Sequence, residues 1–324
     1  RLERSLPGAA PTGLADLVGR LSRGTRPRLV GVIRSLLLLA PRARRAELRR
    51  VIASCLFDEA YYRRHELQDA GPRVSPLMHY LAVGAGEHRA PSALFDVDWF
   101  ARGCVPPLAP GESPILRFLD QPPGAQADPH PLFSVAWYLQ QAGGSTAATS
   151  NPLSHFLAGG AFSPHPLFDP SYYLRHNPDV EAAGWNPLVH YLEYGASEGR
   201  DPHPLFDSSF YLESSPDVAD ECLNPLVHFV THGASEGRDP HPYFDASFYL
   251  ESNPDVAEAG VNPLVHFVLY GGFEGRAPHP CFDASFYLGT NPDVAETGLN
   301  PLVHYVLSGA SEGRRPHPDL DSLR

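Results

Sequence analysis

From Phe168 onward one 38-residue pattern is written four times, starting at Phe168, Phe206, Phe244 and Phe282. The same step carried backward from Phe133 reaches Phe95 and Phe57, and Phe133 to Phe168 is 35 residues, so seven units fill residues 57 to about 319. A period of this length marks one supersecondary element per unit, which buries its apolar face only against its neighbours. Such an array grows linearly, so a length of 324 residues does not imply two ordinary domains.

The unit at 244–281 reads FDASFYLESNPDVAEAGVNPLVHFVLYGGFEGRAPHPC. Asp245 stands where a carboxylate caps a helix from Ala246 to about Ser252. Asn253-Pro254 repeats the start signal and opens a single extra turn to Ala259 with Val256 inward. Gly260 ends that turn in a left-handed conformation, although Cys222 in the equivalent place implies that this conformation is not required. Asn262-Pro263 opens a second helix, B, about two turns long, with Leu264, Phe267 and Val268 as its apolar stripe and Gly271-Gly272 as its stop. Residues 274–280 carry too much proline and glycine for helix and form an extended strap. The expected fold is all-α: an α-solenoid of helix-turn-helix repeats joined by Pro/Gly-rich extended straps, with nearest-neighbour contacts.

Four regular repeats are expected over 165–318 and three degenerate ones over 56–164, with a tail at 319–324. In the degenerate part, Arg117 takes the place of a recurrent histidine, Ser134 replaces the capping aspartate, and Gly143 to Thr146 lie where the NPDV turn belongs. Residues 1–25 read as a linker or tail and 26–55 as a basic helical cap over the apolar end of the first repeat. The alternative for Arg26 to Arg50 is peripheral contact with a membrane surface or an anionic partner.

All 25 basic residues are Arg. Residues 1–50 hold 12 Arg against three acids, a balance of +9, which leaves −21 on the other 274 residues of a chain whose total is −12. An acidic array disfavours nucleic acid, whose phosphates ask for a basic face. Cys55, Cys104, Cys222 and Cys281 show no metal or disulfide spacing and are expected to be buried, reduced thiols in a bacterial cytoplasmic setting. The longest apolar run, Leu29 to Ala40, is interrupted by Arg34 and too short to span a bilayer. The chain opens on Arg1 rather than Met, which points to a piece of a longer polypeptide.

Two ladders recur through the units: His190, His228, His266 and His304 in helix B, and the pairs Glu198/Arg200, Glu236/Arg238, Glu274/Arg276 and Glu312/Arg314 before the strap. Equivalent positions in stacked repeats lie roughly 10 Å apart, whereas a metal needs its ligands within about 2.1 Å, so the histidines are expected to bond structurally at the repeat joints and no metal or other cofactor is expected. Pairing of helix-B and strap histidines within one unit is the alternative. The arginines are expected to tie the strap to a carboxylate such as Asp255, with an anion-binding surface as the alternative. The adjacent aromatic pairs Tyr172/Tyr173, Phe210/Tyr211, Phe248/Tyr249 and Phe286/Tyr287 are the binding candidates: one ring of each pair in the core, the other free to stack on sugar or protein. The sequence contains no GxSxG, GxxxxGK, GxGxxG or HExxH, and no catalytic constellation is found.

The string FDxxxYLxxNPDVxxxGxNPLxHYxxxGxxEGRxPHP resembles a short helical repeat found at the ends of bacterial glycosyltransferases and other surface-polysaccharide biosynthesis proteins. The resemblance is close over 165–318, weaker over 56–164 and absent over 1–50. It implies a glycan-biosynthesis setting and an accessory module beside a catalytic domain, and it carries no catalytic residue onto this chain. The expectation is therefore a non-catalytic helical-repeat binding or scaffold module whose partner is a protein, a glycan acceptor or another copy of itself, and not nucleic acid. Two alternatives stay open: a self-assembling structural repeat protein, and part of an enzyme, with its catalytic domain outside this piece or with a pocket around Trp99, Trp137 and Arg117.

Overall fold

The computed structural model describes residues 42–68, 74–143, 151–160 and 162–319. The proposed tail at 1–25, the cap up to residue 41, the glycine-rich break after Gly143 and most of the C-terminal tail lie outside the described residues. Within them the chain is an all-α repeat array, one helix from Arg42 to Ser54 followed by seven units, with isolated bridges such as His241 to Phe244 inside the straps. The units are numbered 1 to 7 from Phe57 to Phe282.

Repeat 6 shows why the local sequence folds as it does. Its helix A, Ala246–Ser252, starts where the Asp245 carboxylate accepts the Phe248 amide at 2.7 Å. The turn helix Pro254–Ala259 and helix B from Pro263 each open on a proline, whose missing N–H is an unbonded donor position in any case. Asn262 caps helix B through the Leu264 and Val265 amides, both at 3.1 Å. Asn253, in contrast to the sequence expectation, does not cap the turn helix; its amide donates back to the Tyr249 carbonyl at 2.7 Å. Gly260 is left-handed, and Cys222 holds the same conformation at φ 53°. The left-handed conformation, expected not to be required where cysteine stands, is thus kept there, at the steric cost a Cβ meets at positive φ.

Helix B departs from the expected two-turn α-helix. Pro263–His266 make one α-turn, and Phe267–Gly271 then widen into a π-turn in which the Gly272 amide reaches the Phe267 carbonyl at 2.9 Å. The reason is tertiary. The Tyr249 ring from helix A pushes its hydroxyl against Gly271, where an added Cβ would stand 2.0 Å from it. The same hydroxyl bonds the Nδ1 of His266 at 2.8 Å. Widened helical turns of this kind accommodate such an insertion, and only glycine fits beneath it.

Each repeat closes on a small aromatic core. In repeat 6 the rings of Phe244, Tyr249 and Phe267 meet at 5.4 to 5.8 Å, two of the three contacts edge-to-face, the arrangement the ring quadrupole favours. Each unit is closed on itself by the backbone, the Asp245 amide donating to Pro278 and the Asp207 amide to Pro240 of the unit's own strap, each at 3.0 Å. Asn300 of repeat 7 adds a 3.1 Å bond to the Phe267 carbonyl of repeat 6.

The contacts are not confined to nearest neighbours. Arg64 of repeat 1 pairs with Glu193 of repeat 4, whose side chain is 4 % exposed, so the array curls tightly enough to bring units three apart together. Helix Arg42–Ser54 likewise packs on helix B of repeat 2, Pro114–Asp120, with Arg50 bonded to Asp120 at 2.6 Å. The described part of the expected cap therefore reaches past repeat 1. The thiols also differ from expectation: Cys104 is buried, Cys281 half-buried, and Cys55 and Cys222 exposed. No helix among the described residues is long and apolar enough to cross a membrane.

Candidate binding grooves between the repeats

The aromatic pairs resolve unequally. Tyr173, Tyr211, Tyr249 and Tyr287 are the 0 %-exposed core rings and are withdrawn from any ligand surface. Tyr172 is also buried, while Phe210, Phe248 and Phe286 are half-buried. One ring of each pair thus lies fully in the core, while its neighbour keeps part of its surface exposed in repeats 5 to 7 and is buried at Tyr172.

The histidine ladder of helix B bonds within each repeat rather than at the joints. His190, His228, His266 and His304 each meet the hydroxyl of the core tyrosine 17 residues earlier at 2.8 to 2.9 Å. Burial, and next the nearby arginine, lower the pKa of His190, His228 and His266. The strap histidines bond the backbone instead. Nδ1 of His203 accepts the Leu205 amide at 3.1 Å and that of His241 the Tyr243 amide at 3.1 Å. Each fixes the turn that leads into its repeat. Burial pushes His130 and His165 down to about 3, and His203 and His241 down to about 4.

The arginine ladder is a clamp inside each unit. Arg276 grips Asp255 with two bonds at 2.8 and 2.9 Å, Glu274 through Nε at 2.7 Å and Asn253 at 2.9 Å. Arg200 and Arg314 repeat the set with Asp179, Asn177 and Glu198, and with Asp293, Asn291 and Glu312. Arg238 lacks the asparagine and keeps Asp217, held at about 2 chiefly by that arginine's hydrogen bond, and Glu236. The clamp fastens the NPDV turn to the loop after helix B, so these residues are likewise not at the joints. Among the described residues no group of three or more His, Cys, Asp or Glu is arranged to hold a metal.

Arg117 bonds Glu112 at 3.2 Å and the Pro106 carbonyl at 3.0 Å. Arg102 lies over the Trp99 ring at 5.5 Å, and the Trp137 indole N–H is buried without a partner among the described residues.

What the sequence reading missed is a ladder of exposed apolar side chains just before each Asn-Pro. Trp185, Leu223, Val261 and Leu299 stand 38 residues apart and are 40 to 48 % exposed. Two of them border equivalent grooves. Trp185 lies with Leu157, Gly160 and Leu174 around a cleft of about 400 Å³ between repeats 3 and 4. Leu223 lies with Leu192, Ala196 and Leu212 around one of about 380 Å³ between repeats 4 and 5. Tyr194 extends the first surface, its ring edge-on to Trp185 at 5.7 Å, and Tyr270 is 55 % exposed at the matching place in repeat 6. The signal was in the sequence: a large apolar residue at a position outside every helix, in all four regular units. Comparison of the chain with protein-family models, curated proteins and solved structures found no match.

Proposed function

We propose that this chain is a non-catalytic helical-repeat module that binds a protein or glycan acceptor along the grooves between its units, as an accessory region of a glycan-building protein. The observation that carries the reading is the groove with its exposed apolar lip, met in the same place at successive joints. Apolar and aromatic residues at a concave surface are what recognition of sugar faces and protein side chains uses. The polar residues that recur from unit to unit, the core tyrosine, the helix-B histidine and the clamp arginine, all spend their hydrogen bonds on holding the repeat together. The glycan setting rests on the resemblance of the repeat string to modules appended to glycosyltransferases.

The test is a glycan array probed with the full chain and with the triple variant Leu223→Ser, Val261→Ser, Leu299→Ser. These side chains are exposed, so the variant keeps its circular dichroism and unfolding midpoint within about 3 °C. Binding by the parent and its loss in the variant support the reading; equal binding by both removes the grooves from it, and an array blank for both removes the glycan class.

A further inference from the structure

The joint between repeats 1 and 2 is built from different residues than its siblings. Where the regular straps carry His203-Pro204 or His241-Pro242, this strap carries Ser92-Ala93. Where they have left-handed glycine, Gly199 or Gly237, repeat 1 has His88 at φ 58°. Where the following helix A presents Ser209 or Ser247 to that glycine, repeat 2 presents Asp98, its Oδ1 3.6 Å from the His88 Nδ1. Three neighbouring positions have changed together.

Loss of the strap imidazole leaves a cavity of about 380 Å³ lined by Ser92 and, from the next strap, His130. That volume lies in the range of small-molecule sites. Ser92 is 9 % exposed, and its hydroxyl has no hydrogen-bond partner among the described residues. A buried hydroxyl left unpaired costs about 1–3 kcal/mol, so it marks a place where a bonding group belongs. His130 is 7 % exposed and accepts the Leu132 amide on Nδ1 at 3.0 Å, which puts the proton of its neutral ring on Nε2 as a second donor.

Among the other lining residues, four acids outnumber one arginine and one histidine. Glu66, Glu87, Asp96 and Asp98 face the cavity together with Arg89. Arg89 is bound to Glu87 at 2.8 Å and to the Glu66 carbonyl. Glu66 takes the Ala90 amide on Oε1 at 3.3 Å and Asp96 the Trp99 amide on Oδ1 at 2.8 Å, so each keeps its second oxygen outside these bonds. The Tyr61 phenol is held neutral by burial, its pKa pushed up to about 12, and adds a ring and a hydroxyl.

We propose that the cavity at the first joint is a binding site for a small organic ammonium ion. Its nitrogen is met by the unshared carboxylate oxygens at the rim, with the Tyr61 ring beside it, and polar groups on the ligand satisfy Ser92 and the His130 Nε2–H. This site is independent of the grooves of repeats 3 to 5.

Calorimetry at low ionic strength tests it on the full chain with 1,4-diaminobutane, and with the equally long, uncharged 1,4-butanediol as the contrast. The expected result is saturable one-to-one binding of the diamine and none of the diol. Ser92→His installs the residue that sibling straps carry; the folded variant is expected to lose at least about tenfold in diamine affinity. Asp98→Asn, at an exposed position that leaves the fold alone, is expected to weaken binding severalfold, and it decides the matter if the first variant does not fold. Absent diamine binding, equal binding of the diol, or affinity unchanged in the variants overturns the proposal.

Discussion

Repeats 2 and 5 answer the same packing problem differently. Repeat 5 inserts the Tyr211 hydroxyl between His228, at 2.8 Å, and Gly233, where a Cβ would stand 2.0 Å away, and its helix B widens into a π-turn. In repeat 2 all three partners are replaced: Phe100 has no hydroxyl, Arg117 stands for the histidine and Pro122 for the glycine. Helix B there is plain α over Pro114–Asp120. The difference teaches that tyrosine, histidine and glycine form one unit of structure. Remove the hydroxyl, and the imidazole and the bare Cα lose their reason; Phe100 still fills the core at 0 % exposure.

The largest expected effect is with pH, and it separates the first joint from the later ones. The strap histidines His130, His165, His203 and His241 sit at about 3 to 4 in the folded chain, against an ordinary value near 6.5 when unfolded. A depressed histidine pKa means that the unfolded chain binds more protons between those limits. Stability is therefore full above about pH 6.5 and falls as the pH drops toward 4, by on the order of 1.4 kcal/mol per histidine per pH unit. Asp169 and Asp207, facing His203 and His241, soften the shift, and the partly buried Asp128, Asp201 and Asp239, whose pKa values burial raises, oppose the loss only in the more acidic part of the window. The first joint has Ser92 at this position and takes no part. Thermal unfolding at pH 7.5 and 5.0 is expected to show a large drop, reduced in His203→Gln; an unchanged midpoint would mean that these rings are hydrated and not buried.

Next in size is the tyrosine pocket. Gly233→Ala drives a methyl into the Tyr211 hydroxyl and is expected to destabilise by about 2–3 kcal/mol. Tyr211→Phe removes the obstacle but leaves His228 unpaired, at about 1 kcal/mol. The double variant, which moves repeat 5 toward the repeat 2 solution, is expected to be more stable than the sum of the singles by about 1 kcal/mol or more, measured as a coupling in urea unfolding. Strict additivity would show that hydroxyl and glycine do not act as one.

How much of this was legible follows the range of each interaction. Asp245, Asn262 and the prolines beside them mark helix starts through bonds spanning two or three residues, and the sequence shows those starts plainly. The π-turn was hidden because its cause, Tyr249, lies 22 residues before Gly271 and acts through space. Asn253 was misread for the same reason, since its oxygen belongs to Arg276, 23 residues on. The groove lip at Trp185 and Leu223 recurs in the sequence, but its exposure does not show there because exposure is a property of stacked units, and the meeting of Arg64 with Glu193 was hidden because winding is set by the sum of all the joints. The drift at Ser92, His88 and Asp98 was visible as scattered substitutions only; folding brings them to one cavity.

The smallest effect belongs to the arginine clamp, and again the two regions differ. Arg276 engages Asp255, Glu274 and Asn253 at once, whereas Arg89 of repeat 1 has Gln68 in the aspartate's place and, among the described residues, bonds Glu87 and a carbonyl oxygen. Asp255 is 61 % exposed and the Arg276 side chain 25 %, so water and salt weaken the attraction even in bidentate geometry. Arg276→Met is thus expected to lower the unfolding midpoint by only about 1–3 °C, a loss that shrinks in about 1 M salt because charge is screened there. Arg276→Lys is expected to fall as far, since one ammonium cannot meet three acceptors set by a planar fork. For Arg89→Met the salt-sensitive part is expected to be smaller, because one of its two partners among the described residues is an uncharged carbonyl. Equal salt dependence at the two arginines would show that the bidentate aspartate adds nothing to the regular repeats that repeat 1 lacks.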